Sequence, residues 1–183
     1  MVEQALTYEI DGINIDLEGI KKDAGPHFVQ FLRELSVACR LNGVVLSVDN
    51  YVPRESSAHY DREEQGIIAD YVIIMGYDEH HKGSYESGPV ASYNFVKNAV
   101  EDALRVVPEE KLINAVPFYT RLWKEVLKTE DELKAQEGTD AAEYPYTVTS
   151  QTYGMKKIHI PIENAGAKIP TIVHNTAYVS PRV

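Results

Sequence analysis

The sequence predicts an α/β fold, an incomplete TIM (β/α)8 barrel, and two patterns in its 183 residues carry that prediction. Apolar stretches alternate with helical stretches over the first two thirds of the chain, which is typical of a parallel sheet covered by helices. No phosphate-binding glycine loop follows these stretches, which favours a barrel over a nucleotide-binding open sheet. Because a complete barrel needs about 250 residues, we expect about half of one.

The predicted elements run strand, helix, strand, loop, strand, helix, strand. Between the first two strands, apolar residues recur at helical spacing from Pro26 to Gly43. A polar, tyrosine-bearing loop follows the second strand, and Pro89 is predicted to open a helix that runs to about Val107. Short right-handed crossovers require the strands to be parallel and adjacent in chain order. We predict these strands near 11–17, 44–48, 70–77 and 111–117.

The pattern weakens after residue 124. We therefore predict a partial barrel region over 1–124 and an insertion-like and C-terminal segment of irregular fold over 125–183. In this segment "KTEDELKAQEGTDAAE" predicts an exposed helix and loop. "VTSQTYGMKK" predicts a short helix from Thr149 or Ser150, and "AKIPTIVHNTAYV" predicts one or two strands.

Composition excludes several classes of partner. A net charge of -10 argues against nucleic acid, and no lysine or arginine cluster offsets it. The sequence has no apolar run of about 18 residues and no basic-then-apolar start, so we expect no membrane partner and no export address. Cys39 lies on the apolar stripe of a predicted helix, where it is expected to fill the core.

The first strand places its polar side chains on one face. In "DGINIDLEG", Asn14, Asp16 and Glu18 stand at alternate positions, so they point the same way. An antiparallel edge strand with one wet face would show the same alternation, but the alternation of strands and helices downstream favours a barrel interior or a cleft. We expect the aliphatic face to pack beneath helices, and it holds Ile13, Ile15 and Leu17.

Polar and aromatic residues also follow the other predicted strands. The carboxyl ends of parallel strands form the edge where barrels and open sheets bind ligands, so we expect these residues to converge there. For the tyrosines, a buried core position with a satisfied hydroxyl is the alternative. The residues are Asp49, Asn50, Tyr77, Asp78, Phe118 and Tyr119.

Three ordered motifs resemble the family 18 glycoside hydrolases, which are chitinase-like TIM barrels. "DGINIDLE" is similar to their D-G-x-x-x-D-x-E signature, with Asn14 where many members carry aspartate, as in the peptidoglycan-directed branch of spore-forming bacteria. "YVIIMGYD" resembles the M-x-Y-D strand and "KLINAVPFYTRLW" the strand after it. The likeness covers residues 8–124 and corresponds to roughly strands 4 to 7. The matching positions are Asp11, Asp16, Glu18, Met75, Tyr77, Asp78, Tyr119 and Arg121.

The resemblance implies substrate-assisted hydrolysis of β-linked N-acetylglucosamine glycans, in which the 2-acetamido oxygen attacks the anomeric carbon. Glu18 would be the general acid and then the base, and Asp16 would stabilise the oxazolinium. Tyr77 would donate a hydrogen bond to the acetamido oxygen, and Asn14 would orient Asp16. Further substrate contacts are implied for Asp11, Met75, Asp78, Tyr119 and Arg121.

The resemblance also implies a glycan partner of the peptidoglycan or chitin type, no cofactor and no metal, in a cell-wall, spore or extracellular setting. "DEHH" at 78–81 lacks the H-E-x-x-H spacing of a metal site. The alternative is an inactive glycan-binding or vestigial fragment. A small open α/β protein with a structural acidic strand is a third hypothesis. The sequence also allows a second chain as a partner, one that would supply the missing strands of the barrel.

Overall fold

A computed structural model describes residues 1–157 of the chain. These residues fall into two compact units, and each is described by itself. The first holds Met1–Gly76 and Val96–Val116, and the second holds Tyr77–Phe95 and the residues from Pro117 onward. Within residues 1–157 no helix has the length and apolar character needed to span a membrane. The strands predicted in "AKIPTIVHNTAYV" lie outside the described residues.

The first unit contains a four-stranded parallel sheet with its strands in chain order. This confirms the predicted arrangement, and within residues 1–157 the sheet does not close into a barrel. β2 is longer than predicted and carries Asp49 and Asn50 inside the strand rather than beyond its end. The strands are β1 Gly12–Ile15, β2 Val45–Tyr51, β3 Tyr71–Met75 and β4 Leu112–Ala115.

The helices are α1 Val2–Thr7, α2 Gly25–Leu41, α3 Arg62–Ile68 and α4 Tyr93–Ala103. The sequence predicted α2 but neither α1 nor α3, so the expectation of an irregular loop between β2 and β3 was wrong. The predicted helix from Pro89 to Val107 was too long. α4 starts later because Ser92 Oγ accepts the Phe95 N–H at 3.2 Å, which satisfies an N–H of its first turn.

The core of the first unit lies between the sheet and α2. Phe28, Leu32, Leu35 and Cys39 recur on one face of α2 and pack with apolar residues of β1 and β2. Burying a side chain such as Leu32 contributes about 1.5–3 kcal/mol. Cys39 is fully buried, as predicted, and burial raises the pKa of its thiol.

A reciprocal amide pair fixes α3 against β2. Asn50 Nδ2 donates to Gln65 Oε1 at 2.7 Å, and Gln65 Nε2 donates to Asn50 Oδ1 at 3.1 Å. Both side chains are buried. Asn50 therefore lies on the helix-covered face of the sheet, because it alternates with Asp49 along β2. The expectation that Asn50 joins the ligand edge was wrong.

The second unit contains a two-stranded antiparallel sheet. β5 Tyr119–Leu127 pairs with β6 Tyr146–Gly154, and α5 Glu130–Ala135 lies between them in the chain. Thr129 caps α5 and forms a capping box with Glu132, which confirms the predicted exposed helix. The helix predicted from Thr149 or Ser150 was wrong, because both residues lie in β6.

Candidate active site

Asn14 is held between two side chains of the neighbouring strand. Ser47 Oγ donates to Asn14 Oδ1 at 2.7 Å, and Asn14 Nδ2 donates to Asp49 Oδ2 at 2.9 Å. The parallel register pairs Asn14 with Ser47, which places all three side chains on the same face of the sheet. Because an ionised carboxylate only accepts hydrogen bonds, this network fixes the orientation of the amide.

Asp16 and Glu18 lie in the segment that follows β1, since the strand ends at Ile15. Both are exposed. Ile15 is buried in the core, but Leu17 is 49% exposed, so the prediction that Leu17 packs beneath helices was wrong. The alternation of faces is a property of the extended strand, and β1 ends at Ile15, two residues before Leu17.

Asp49 forms a cluster of carboxylates with Asp16 and Glu18. Burial raises the pKa of Asp49, and the negative charges of Asp16 and Glu18 raise it further. The hydrogen bond from Asn14 acts in the opposite direction, because it favours the ionised form. The charges of Asp16 and Glu18 therefore disfavour the ionised form of Asp49, and perturbed carboxyl groups are typical of functional sites.

Tyr51 is a site residue that the sequence prediction missed. Its hydroxyl accepts the Gly19 N–H at 3.1 Å and interacts with the Glu18 side chain. Burial, followed by that interaction, raises the pKa of Tyr51. Its position could have been inferred from the sequence, because Val45, Ser47, Asp49 and Tyr51 continue one alternation along β2.

Among the described residues, two other predicted site residues of the first unit, Met75 and Asp11, make no side-chain hydrogen bond that indicates a role. Met75 ends β3 and is 9% exposed, in register with Tyr51. Asp11 precedes β1 and is exposed, and its carbonyl accepts the Val45 N–H at 2.9 Å. Their roles in substrate binding stay predictions.

In the second unit, Asp78 is the centre of a compact polar group. Tyr119 donates its hydroxyl to Asp78 Oδ1 at 2.7 Å, and Arg121 Nη2 donates to the same oxygen at 3.0 Å. Arg121 Nη1 also donates to Thr152 Oγ1 on β6 at 3.0 Å. The hairpin therefore positions the arginine that neutralises Asp78.

Two further features describe this group. Asp78 has a φ of 57°, a left-handed conformation that aspartate tolerates better than most residues. The rings of Tyr77 and Tyr119 meet edge to face, with centroids 6.2 Å apart. Burial raises the pKa of Tyr119, and the contact with Asp78 raises it further. The structure thus brings together Tyr77, Asp78, Tyr119 and Arg121.

Residues 1–157 contain no cluster of three or more His, Cys, Asp or Glu side chains arranged to hold a metal ion. In "DEHH" the two histidines make separate contacts. His80 Nδ1 lies 3.1 Å from the Pro89 carbonyl, and His81 Nδ1 accepts the Gly83 N–H at 3.1 Å.

A parallel sheet of barrel type with acidic residues at the carboxyl end of its first strand is the architecture of barrel glycosidases. The sequence model of the glycosyl hydrolases family 18 matches residues 1–178. The chain belongs to this family.

Individual relatives agree with this assignment. The chain is 35% identical over 118 residues to a sporulation-specific glycosylase, YdhD of Bacillus subtilis, covering 61% of this chain and 27% of YdhD. It is 26% identical over 133 residues to the cortical fragment-lytic enzyme of the same species, covering 67% of this chain and 30% of that enzyme.

Solved structures show the same fold. The crystal structure of YdhD superposes with a TM-score of 0.72 at 25% identity, covering 92% of this chain and 51% of that one. The spore cortex-lytic enzyme SleL of Bacillus cereus gives 0.71 at 18% identity, covering 92% and 36%. The chain therefore spans about half the length of the crystallised YdhD and less of the curated relatives.

Proposed function

We propose that this protein hydrolyses β-linked N-acetylglucosamine glycans, with peptidoglycan as the preferred substrate class. The observation that carries the proposal is the acidic cluster of Asp16, Glu18 and Asp49 in a family 18 chain. The names of two relatives, a sporulation-specific glycosylase and a cortical fragment-lytic enzyme, favour peptidoglycan over chitin.

The proposed reaction uses the substrate as its own nucleophile. The acetamido carbonyl oxygen attacks the anomeric carbon, and the glycosidic bond breaks as Glu18 gives its proton to the leaving oxygen. Asp16 stabilises the positive oxazolinium that results. The Glu18 carboxylate then takes a proton from water, whose oxygen adds to the anomeric carbon as the bond to the acetamido oxygen breaks. This step regenerates the acetamido group and restores the original configuration.

The motif residues of the second unit have supporting roles in this proposal. Tyr77 would donate to the acetamido oxygen, while Tyr119 and Arg121 would contact sugar hydroxyls. The support for Arg121 is that its Nε has no hydrogen-bond partner within the described residues. Such a donor gains a partner when a hydroxyl binds beside it.

The test compares the chain with its Glu18→Gln variant on purified peptidoglycan and on chitin oligosaccharides. Release of new reducing ends measures hydrolysis, and sedimentation with insoluble glycan measures binding. We expect Glu18→Gln to lower hydrolysis by about 10²–10⁴-fold and to keep binding, because the amide retains size and polarity but cannot deliver a proton.

The same experiment separates the alternatives. Binding by both proteins with hydrolysis by neither would favour the alternative, an inactive glycan-binding or vestigial fragment. Hydrolysis that Glu18→Gln leaves unchanged would contradict the mechanism. Absence of both binding and hydrolysis would contradict both hypotheses.

A further inference from the structure

Two tyrosine hydroxyls hold the segment that carries Glu18. Tyr51 accepts the Gly19 N–H at 3.1 Å. Tyr60 accepts the Ile20 N–H at 3.1 Å and lies 3.2 Å from the Leu17 carbonyl, to which it donates. The two rings meet edge to face with centroids 5.7 Å apart, so they support each other.

The two hydroxyls differ in where their hydrogen points. Tyr60 uses its hydrogen on the Leu17 carbonyl, so both of its bonds go to the backbone. Tyr51 accepts the N–H of Gly19, the residue that follows Glu18, so its own hydrogen is not used on the backbone of this segment. The effect of Glu18 on the pKa of Tyr51 agrees with this placement. A phenol can accept one hydrogen bond and donate another at the same time.

The surroundings of Tyr51 fix its position. It is the last residue of β2, and its carbonyl accepts from Arg62 Nη2 at 3.0 Å. Arg62 is buried at 7% exposure, and its Nη1 donates to the Ser57 carbonyl at 3.2 Å. A side chain supported on a strand end in this way is held more precisely than one on a free loop.

We infer that Tyr51 is a positioning residue for Glu18. The Tyr51 hydroxyl donates a hydrogen bond to the Glu18 carboxylate, while the Gly19 N–H donates to the hydroxyl oxygen. The inference deepens the proposed function and rests on it for its catalytic meaning. The contact itself does not depend on hydrolysis. The other titratable groups that act on Tyr51, Glu18 or Asp49 are Asp16 and Tyr60.

This bond has a defined part in the reaction. After Glu18 has given up its proton, the Tyr51 hydroxyl stabilises the resulting carboxylate and keeps it aimed at the anomeric carbon. It acts on the charged form of Glu18 and does not touch the sugar. Its loss should therefore lower kcat more than it changes KM.

The contact is tested by NMR on the whole chain with ¹³C at tyrosine Cζ, with Tyr51 assigned through the Tyr51→Phe variant. We expect the Tyr51 signal to show a titration step in the acid range, because ionisation of a hydrogen-bonded carboxylate shifts the phenol carbon. Glu18→Gln should abolish the step, and Asp16→Asn should leave it in place. A step that survives Glu18→Gln, or no step in the wild type, would overturn the inference.

The positioning role is tested by kinetics with Tyr60→Phe as the matched control, since that variant loses only backbone contacts of the same segment. We expect Tyr51→Phe to lower kcat about tenfold with KM within about twofold, and to move the alkaline limb of the pH profile upward. Equal effects of both variants on the profile would show that only the rigidity of the segment matters. Absent hydrolysis with an intact NMR step would contradict the proposed function alone.

Discussion

Asp49 and Asp78 are two partly buried carboxylates of opposite electrostatic character. Asp49 lies in the first unit, where the charges that act on it are the acids Asp16 and Glu18 and its hydrogen bond comes from the neutral Asn14. Asp78 lies in the second unit and is paired with Arg121. Negative charge is concentrated at the first group and neutralised at the second.

This electrostatic difference indicates different roles: we assign proton transfer to the acids of the first group, and we expect Asp78 to hold its neighbours in place. A group of uncompensated carboxylates costs folding free energy and is retained where protons must move. A carboxylate that accepts from both an arginine and a tyrosine of one hairpin holds that hairpin in place. We therefore expect Asp16→Asn to change the rate of hydrolysis and Asp78→Asn to change stability.

The largest expected effect is that of Asp16→Asn on the rate. The amide keeps the shape of the side chain but removes the charge that opposes the oxazolinium, so hydrolysis should fall by about 10²–10³-fold. Thermal stability should stay within a few degrees. The measurement is kcat/KM together with a melting curve, and Asp23→Asn, the same change at an exposed position, is the control. A large loss of stability with an unchanged rate would reverse our assignment of the two groups.

The next effect is that of Asp78→Asn on stability. Arg121 is 11% exposed, so losing its counter-charge leaves a buried cation less well compensated, and we expect the free energy of unfolding to fall by about 1–2 kcal/mol. Asn also tolerates the left-handed backbone at this position.

The control for Asp78 is Asp102→Asn, which removes an ion pair to Arg105 between two exposed side chains on the surface. That pair should contribute less than about 1 kcal/mol. Urea denaturation of both variants measures the loss in free energy of unfolding that each substitution causes. Equal effects would mean that the Asp78 pair contributes no more than a surface pair does.

The smallest effect is the pH dependence caused by Asp49. Its pKa is raised in the folded protein, so its protonated form stabilises the fold at low pH, and this contribution is lost as pH rises through the raised value. Asp49→Asn mimics the protonated form and should melt about 1–3 °C above the wild type at pH 7. The gain should disappear below the ordinary aspartate pKa of about 4. A gain that is larger at low pH would contradict the direction of the shift.

The order of the sheet was predictable because each strand is a short apolar run and short crossovers allow one arrangement. α3 was not, because seven residues show too little periodicity and include two glutamates and a glycine. Gly66 packs tightly there, since a Cβ would lie 3.1 Å from Pro108 Cδ. No local rule indicates that contact.

β6 was missed for a related reason. Thr149 and Ser150 are typical of helix starts, but their neighbours include β-branched residues that favour a strand. What decides the conformation is pairing with β5, in which Ser150 lies opposite Trp123. This partner is distant in sequence, so local patterns could not select it.

The sequence named Asp16 and Glu18 as candidate site residues, and their roles stay predictions. The contacts that surround them could not be predicted. The alternation predicted one polar face for Asn14, Asp16 and Glu18, but β1 ends at Ile15, so the two acids lie beyond the strand. The bond from Asn14 to Asp49 depends on the register between β1 and β2. The approach of Tyr51 to Glu18 depends on β2 continuing past residue 48. The apolar run ends there, so the alternation of Ser47, Asp49 and Tyr51 is the sequence signal for it.

The most direct test of the central claim is the rate ratio between two matched substrates, an aryl β-N-acetylglucosaminide and the aryl β-glucoside that lacks the acetamido group. If the acetamido oxygen is the nucleophile, the first should be hydrolysed at least about 10²-fold faster, because the second has no group to form the oxazolinium. Comparable hydrolysis of both substrates would contradict substrate assistance and, with it, the roles assigned to Asp16 and Glu18.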